Sequence, residues 1–338
     1  MASAPTPFRI DDEFNVVPTV NCKYYSPTDL GATMNRDNNN FSVFALNMRS
    51  CRRNFISLVS FLNTFFLRFS IILLVETWLS TETDCGFNIQ GYKQFNQHRN
   101  NHGGGIKVFY DELLTVDILS EFSEINHIFE VLTFYLCGKG FKYLVCCVYR
   151  PPSSNPNEFN DVFFDRFLSR FPRNNDLILM GDFNLNLYNP FNLRNIRCFI
   201  DGMLSFNCFP VINIPTMINE NNIRTKYSLI DHIWTNFKKG SNHVAGVIDY
   251  LISDHLPMFY VFSHSCSEVV KVVKFRSLSG VNIQRFISSI DNVDFTSVYS
   301  AENPNDAFKF FYDKFFHVFN SSFPIQKKKL NRKKSKEP

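Results

Sequence analysis

A mixed α/β sandwich built from two sheets is the fold class that the residue pattern of this chain predicts. Three observations carry that expectation. The chain carries the short strand-like runs FSVFAL, IILLV, IKVFY, LVCCVY, LILM and MFYVF, of which LILM has no polar interruption, as a strand covered on both faces does. Helical stretches alternate with them, and residues 159–171 place Phe163, Phe164, Phe167 and Leu168 on one face. Several strand pairs lie close enough in sequence for hairpins, which favours mixed sheets over a purely parallel one.

The 338 residues suit one large domain with appendages, or two domains. With 45% hydrophobic and 16% aromatic residues, and 39 Phe, the chain can bury an unusually aromatic core. A net charge of +4 is mildly basic and compatible with a polyanionic partner. The nine Cys include no CxxC pair and read as reduced thiols of an intracellular protein, in the nucleus, the cytoplasm or both. MASAPTPFRIDDEF lacks the apolar core of a secretory signal. Residues 55–75 are long enough to span a bilayer. Asn63 and Arg68 lie inside that stretch, however, and an Arg is costly in lipid. A helix over 54–66 and a strand over 71–75 are expected instead, with no membrane association.

Taken in order, residues 1–40 are rich in Pro, Asn, Asp and Thr and read as a poorly ordered lead-in. The first strand ends at Asn47, ordinarily a turn or cap residue. IILLV ends at Glu76, whose carboxylate at that place needs either a cationic side chain or a metal. Gly103 to Gly105 precede IKVFY and suit a tight hairpin entry with close backbone approach. LVCCVY ends on Tyr149, where Pro151 and Pro152 stop the ladder. Gly181 should break the strand LILM. Asp182 and Asn184 then share a face if the backbone stays extended, or form an Asp/Asn turn. Residues 196–207 look helical, and 216–227 read as a polar loop. SLIDHIW alternates like one half-buried strand, with Ser228, Ile230 and His232 opposite Asp231. A strand-like run covers 244–251, and Asp254 and His255 precede the last strand, MFYVF. From about Cys266 the composition shifts to two amphipathic helices, 281–290 and 306–319. The basic tail KKKLNRKKSK (327–336) follows, either solvated or suited to contact nucleic-acid phosphate.

One polar group at each of several strand ends amounts to the parts for metal-assisted phosphodiester hydrolysis. LNMRS, VETWL, RNNHGGGIKVFY, VYRPPS, MGDFNLN, SLIDHIWTN and SDHLP, in this order, resemble the endonuclease/exonuclease/phosphatase superfamily. More narrowly, they are similar to the endonuclease domain that opens the second reading frame of LINE-type non-LTR retrotransposons. The resemblance covers about 41–262. It implies a four-layer, two-sheet α/β sandwich over 41–264, with 265–338 as a helical linker and no reverse transcriptase expected before the end at Pro338.

The resemblance further implies Mg²⁺-dependent cleavage of a DNA strand, with Mn²⁺ as a substitute. By motif, Glu76 resembles the main metal ligand, Asn47 the group that supports it, and Asp254 a further acidic residue of the metal site. Asp182 would orient or deprotonate the attacking water, and Asn184 would bind the scissile phosphate. Asp231 would brace His255, which would stabilise charge on the phosphoryl oxygens. Tyr149 would contact phosphate, while Ser228 and Ser253 match positions lining the site. Arg49 stands where the abasic-site repair enzymes of the superfamily carry an acid, which speaks against a repair role. Alternatives are a non-catalytic nucleic-acid-binding remnant of a truncated element and a superfamily phosphatase.

Overall fold

The structure, a computed structural model, describes residues 22–34, 40–99, 103–172, 175–188, 194–218, 227–236, 243–263 and 271–330. Residues 1–21, most of the 216–227 loop and the end of the basic tail lie outside the described residues. The chain divides into two units, Met1–Ser265 and Cys266–Pro338.

In chain order the first unit runs β1 (Cys22–Tyr25), α1 (Pro27–Met34), β2 (Asn40–Asn47), α2 (Cys51–Thr64), β3 (Ile71–Val75), β4 (Tyr92–Gln97) and β5 (Ile106–Asp111). There follow β6 (Thr115–Ile118), β7 (Glu124–Ile125), β8 (Glu130–Gly138), β9 (Phe141–Tyr149), α3 (Pro156–Asp161), β10 (Asp176–Asp182) and α4 (Arg194–Ser205). It closes with β11 (Phe209–Pro210), β12 (Met217–Ile218), β13 (Tyr227–Ser228), β14 (Asp231–Thr235), β15 (Val244–Ile248) and β16 (Met258–Ser263). One sheet has the order β1-β15-β16-β2-β3-β5-β4, and the other β11-β14-β10-β9-β8-β6, with β7 on β8. Both mix parallel and antiparallel pairs, so the expected two-sheet α/β sandwich is the fold.

Strict alternation explains the unbroken apolar runs. Val43, Ala45, Leu73, Val75, Tyr260 and Phe262 enter the core shared with the second sheet, whereas Phe44, Leu46, Ile72, Leu74, Phe259 and Val261 pack under α2. Inside a strand buried on both faces a polar side chain is costly without a partner. Lys107 of β5, fully buried, has one in Asp84, whose Oδ1 accepts from Lys107 Nζ at 2.6 Å. Helix α2 supplies Phe55, Leu58, Phe61 and Leu62 at helical spacing, and with β3 it accounts for the stretch that mimics a membrane span. Arg68 lies outside that helix and pairs with Asp111 at 2.9 Å. Among the described residues, no helix is long and apolar enough to cross a membrane. The Phe-rich stretch is helical from 159 to 170: α3, capped by Asn155, widens into a π turn at Val162–Phe167 and ends in a short 3₁₀ turn at Leu168–Arg170.

Three expectations are corrected. Within the supposed lead-in, β1 pairs in parallel with β15 from Cys22↔Ala245 to Tyr25↔Ile248, and Leu30 of α1 is fully buried. A four-residue strand carries too little periodicity to be read, and the exposed edge of β15 is what makes it one. Gly181 does not break its strand but lies inside β10 at φ +140°, where a Cβ would stand 1.9 Å from the Val148 carbonyl oxygen. It lets β10 approach β9. SLIDHIW is not one strand, because Leu229 and Ile230 spend their backbone groups on the loop after β10. The Phe183 N–H donates to the Ile230 carbonyl and the Leu187 N–H to that of Leu229, both at 2.9 Å.

The second unit pairs β17 (Lys271–Arg276) antiparallel with β18 (Ile325–Leu330), so the start of the basic tail has strand backbone. Between them lie α5 (Gly280–Asp291), α6 (Thr296–Tyr299) and α7 (Pro304–Ser322). Phe286 packs against Phe315, Phe319 and Phe323 at ring distances of 5.4–6.2 Å.

Candidate active site

Strand register lines up polar residues along one rim of the second sheet. Glu130, at the start of β8, pairs with Tyr149, at the end of β9. Tyr149 pairs with Asp182, the last residue of β10, and Asp182 with Asp231, the first of β14. In the first sheet Asn47 ends β2 opposite Val75, and Glu76 follows directly. The two rims meet at Asn47, whose side-chain nitrogen donates to Glu76 Oε1 and to Asp182 Oδ2, both at 2.8 Å. The amide is oriented by the Arg49 N–H, which donates to its oxygen at 3.0 Å. All three side chains are buried.

Asp182 and Asn184 come together, but not along an extended strand. Asn184 turns back at φ +48°. Its N–H donates to Asp182 Oδ1 at 2.8 Å, and its side-chain amide donates to the Arg150 carbonyl at 2.8 Å and to Asp182 Oδ2 at 3.3 Å. The turn alternative is therefore the one present. Arg150 locks it by donating to the carbonyls of Phe183 and Asn184 at 2.7 and 2.8 Å.

On the far side of Asp182, Asp231 Oδ2 accepts from Thr216 Oγ1 at 2.6 Å and meets His255 Nδ1 at 2.8 Å. A carboxylate can only accept, so Nδ1 carries the proton of that bond. Nε2 is then left buried with no partner among the described residues. Ser253 ties this loop to the first sheet: its hydroxyl donates to the Asn47 carbonyl at 2.6 Å and accepts from the His255 N–H at 3.1 Å. Ser228 acts through its backbone, its carbonyl accepting from the Thr216 N–H at 2.9 Å. Asp254 is half-exposed, 3.4 Å from Arg49 Nε, and Arg49 stands 3.9 Å from Glu76. At 44% exposure, Arg49 is a weak partner for Glu76.

Burial, and then the charge of Asp231, pushes the Asp182 carboxyl up to about 7. Burial alone would lower His255, but the charge and hydrogen bond of Asp231 outweigh it and raise the imidazole to about 9. The Tyr149 phenol is raised by burial and by the carboxylates of Glu76, Asp182 and Glu130. Asp182, Asp231 and His255 offer donor atoms all within 4.8 Å of one another, a set that could hold a metal ion. With Glu76 across Asn47, the buried donors at this rim are mainly carboxylate oxygens, the chemistry a hard divalent cation takes. The trio differs from Glu76, Asp254 and Asn47, the residues that motif resemblance marks for metal.

Glu130, Thr216 and Arg150 went unread in the sequence. Glu130 had a signal, a carboxylate opening the apolar run EVLTFYL, which mirrors Glu76 at the end of IILLV. Thr216 and Arg150 had none, since their partners lie 15 and 33–34 residues away.

A family model described as endonuclease-reverse transcriptase matches residues 143–259, which include Tyr149, Asp182, Asn184, Asp231 and His255. The endonuclease domain of TRAS1, a telomere-specific non-LTR retrotransposon, is similar in structure, with a TM-score of 0.51 at 13% identity over 66% of this chain and 98% of that one. An AP endonuclease from Archaeoglobus fulgidus gives a TM-score of 0.51 at 14% identity, covering 66% and 99% of the two chains. AP endonuclease LMAP from Leishmania major gives 0.50 at 14% identity, covering 67% and 89%. At such identities the likeness is one of fold. No curated protein matches the sequence.

Proposed function

We propose that this chain is a member of the endonuclease/exonuclease/phosphatase superfamily and a Mg²⁺-dependent endonuclease that nicks DNA, as a non-LTR retrotransposon does at its target site; the family-model match over 143–259 and the shared fold support the reading. The observation that carries the reading is the single Asn47 amide bridging Glu76 and Asp182 at 2.8 Å each, beside an oriented Asp231–His255 pair. A carboxyl held near 7 suits the base that takes a proton from water as its oxygen attacks phosphorus. An imidazole raised to about 9 is protonated at neutral pH, and its Nε2–H is the donor for charge growing on the phosphoryl oxygens as the P–O bond to the leaving group breaks. Asn184 would reach the scissile phosphate by giving up its longer bond to Asp182, and Tyr149 would contact the same group. Glu76, with Asn47 and Asp254 near it, would hold the cation, which when bound supplies Lewis-acid polarisation of the phosphate.

Supercoiled plasmid incubated with the protein and Mg²⁺, beside Asp182→Ala and His255→Ala, tests the reading. Each substitution should slow nicking by roughly 10²-fold or more. Equal nicking by all three proteins would mean a contaminant. Release of inorganic phosphate from monoesters without plasmid cleavage would point to a phosphatase instead.

A further inference from the structure

Glu130 is fully buried, a place where a carboxylate is costly unless fully partnered. Its partners come from β4's end and the loop that follows: the Gly105 N–H donates to Oε2 at 2.7 Å, and Arg99 Nη1 lies 3.2 Å from Oε1. Gly103, Gly104 and Gly105 have φ of +90°, +73° and +89°. A Cβ on Gly104 would stand 2.1 Å from Glu130 Oε1. The glycines thus admit this carboxylate against the loop backbone. On its other side the same loop receives the residues that follow Glu76. The Thr77 N–H donates to the Gly105 carbonyl at 3.3 Å and the Trp78 N–H to that of Gly104 at 3.0 Å.

Glu76 and Trp78 sit at φ +50° and +55°, a region that side chains other than Gly rarely adopt and that surrounding contacts must enforce. On the opposite side the turn is held by the N–H groups of Ser50 and Cys51, which donate to the carbonyls of Glu76 and Thr77, both at 2.9 Å. The glycine loop is the second jaw, and Glu130 is what fixes it to the other sheet.

We propose that Glu130 is a positioning residue: through the Gly104–Gly105 backbone it sets the strained turn that aims Glu76 at a divalent cation. The proposal rests on the reading that Glu76 binds one. Outer partners that orient a ligand typically change metal affinity 10–100-fold when removed.

The test titrates Mn²⁺ into the protein by electron paramagnetic resonance of the free ion, beside E76Q, E130A, E130Q and G104A. Thermal melts and Trp fluorescence run in parallel. Trp78, 43% exposed, reports on the turn, while Trp234 is fully buried. E130A should raise the Mn²⁺ Kd at least tenfold and shift the Trp78 emission while melting cooperatively. G104A, which pushes the loop off the carboxylate from the other side, should do the same, and it carries the test if E130A melts below the assay temperature. E130Q keeps an oxygen to accept the Gly105 N–H and should stay within about threefold of the parent. A lowered melting temperature with Kd unchanged within twofold in both E130A and G104A would overturn the proposal and make Glu130 a plain strut. If E76Q leaves Mn²⁺ binding untouched, the reading of Glu76 itself fails and the proposal falls with it.

Discussion

His232 and His255 are equally buried, each 1% exposed, yet their imidazoles are driven in opposite directions. His232 stacks on Phe183 at 5.0 Å and lies near Phe199 and Trp234 at 5.9 and 6.2 Å. Burial among these rings lowers it to about 4, so at neutral pH it is a core residue. His255 meets the same desolvation, but the carboxylate of Asp231 turns the outcome around. Asp231 and His232 are neighbours in β14 and face opposite ways, so the two environments are the two sides of one strand. Both rings meet an acceptor, His232 Nε2 lying 3.1 Å from the Leu229 carbonyl, but only His255 meets a carboxylate, and it is that negative charge which offsets the desolvation of the charged imidazole.

The largest expected effect comes from removing that acceptor's charge. Asp231→Asn should lower the His255 imidazole from about 9, since desolvation would then be opposed only by the charges of Asp182 and Asp254, and should cut the proposed nicking by about 10³-fold, or about 4 kcal/mol. NMR titration of the imidazole and plasmid relaxation read the two effects. An unchanged His255 titration would show that Asp231 is not what separates the two histidines.

The second effect belongs to His232 and concerns stability alone. Its folded pKa, about 4, lies below the unfolded value of 6.5. Folding therefore favours the neutral ring: the contribution is fully present above pH 6.5 and is lost as pH falls through 4. That difference corresponds to roughly 3 kcal/mol. Urea unfolding of His232→Phe between pH 7 and pH 4 should lose this part of the pH slope, whatever its offset in absolute stability, and nicking should stay within a few-fold. A slope as steep as the parent's would assign the acid sensitivity to other groups.

The smallest effect is at Thr216, whose hydroxyl donates to the Asp231 oxygen that His255 also meets. Thr216→Val leaves that buried oxygen one donor short, at a cost of about 1–3 kcal/mol of stability. Activity should fall far less than in Asp231→Asn. A loss as large as that of Asp231→Asn would mean that Thr216, and not the charge, orients the pair.

Strands and helices were legible because each has a local cause. IILLV is β3 to the residue, and LVCCVY and LILM lie within β9 and β10. Amphipathic spacing marked α2 and α4 to within a few residues. The misreadings share a different cause. Gly181 looked like a breaker, since nothing nearby reveals that the Val148 carbonyl lies against it. Leu229 and Ile230 continued the alternation of SLIDHIW although their backbone groups belong to another loop. Glu130 carried the same signal as Glu76, and only its burial against Gly104 and Gly105 distinguishes it from a carboxylate at a solvated strand end.

By itself the sequence determined which segments would be strands buried on both faces, and therefore that most polar side chains would gather at their ends. Tertiary structure alone decided which of those ends would meet. Asn47 and Asp182 are 135 residues apart and in different sheets, and their 2.8 Å bond follows from ladder register and sheet packing. The physical reason is one of range: burial alternation is set by neighbours one or two positions away, whereas a hydrogen bond between rims needs two sheets to dock to within a few tenths of an ångström.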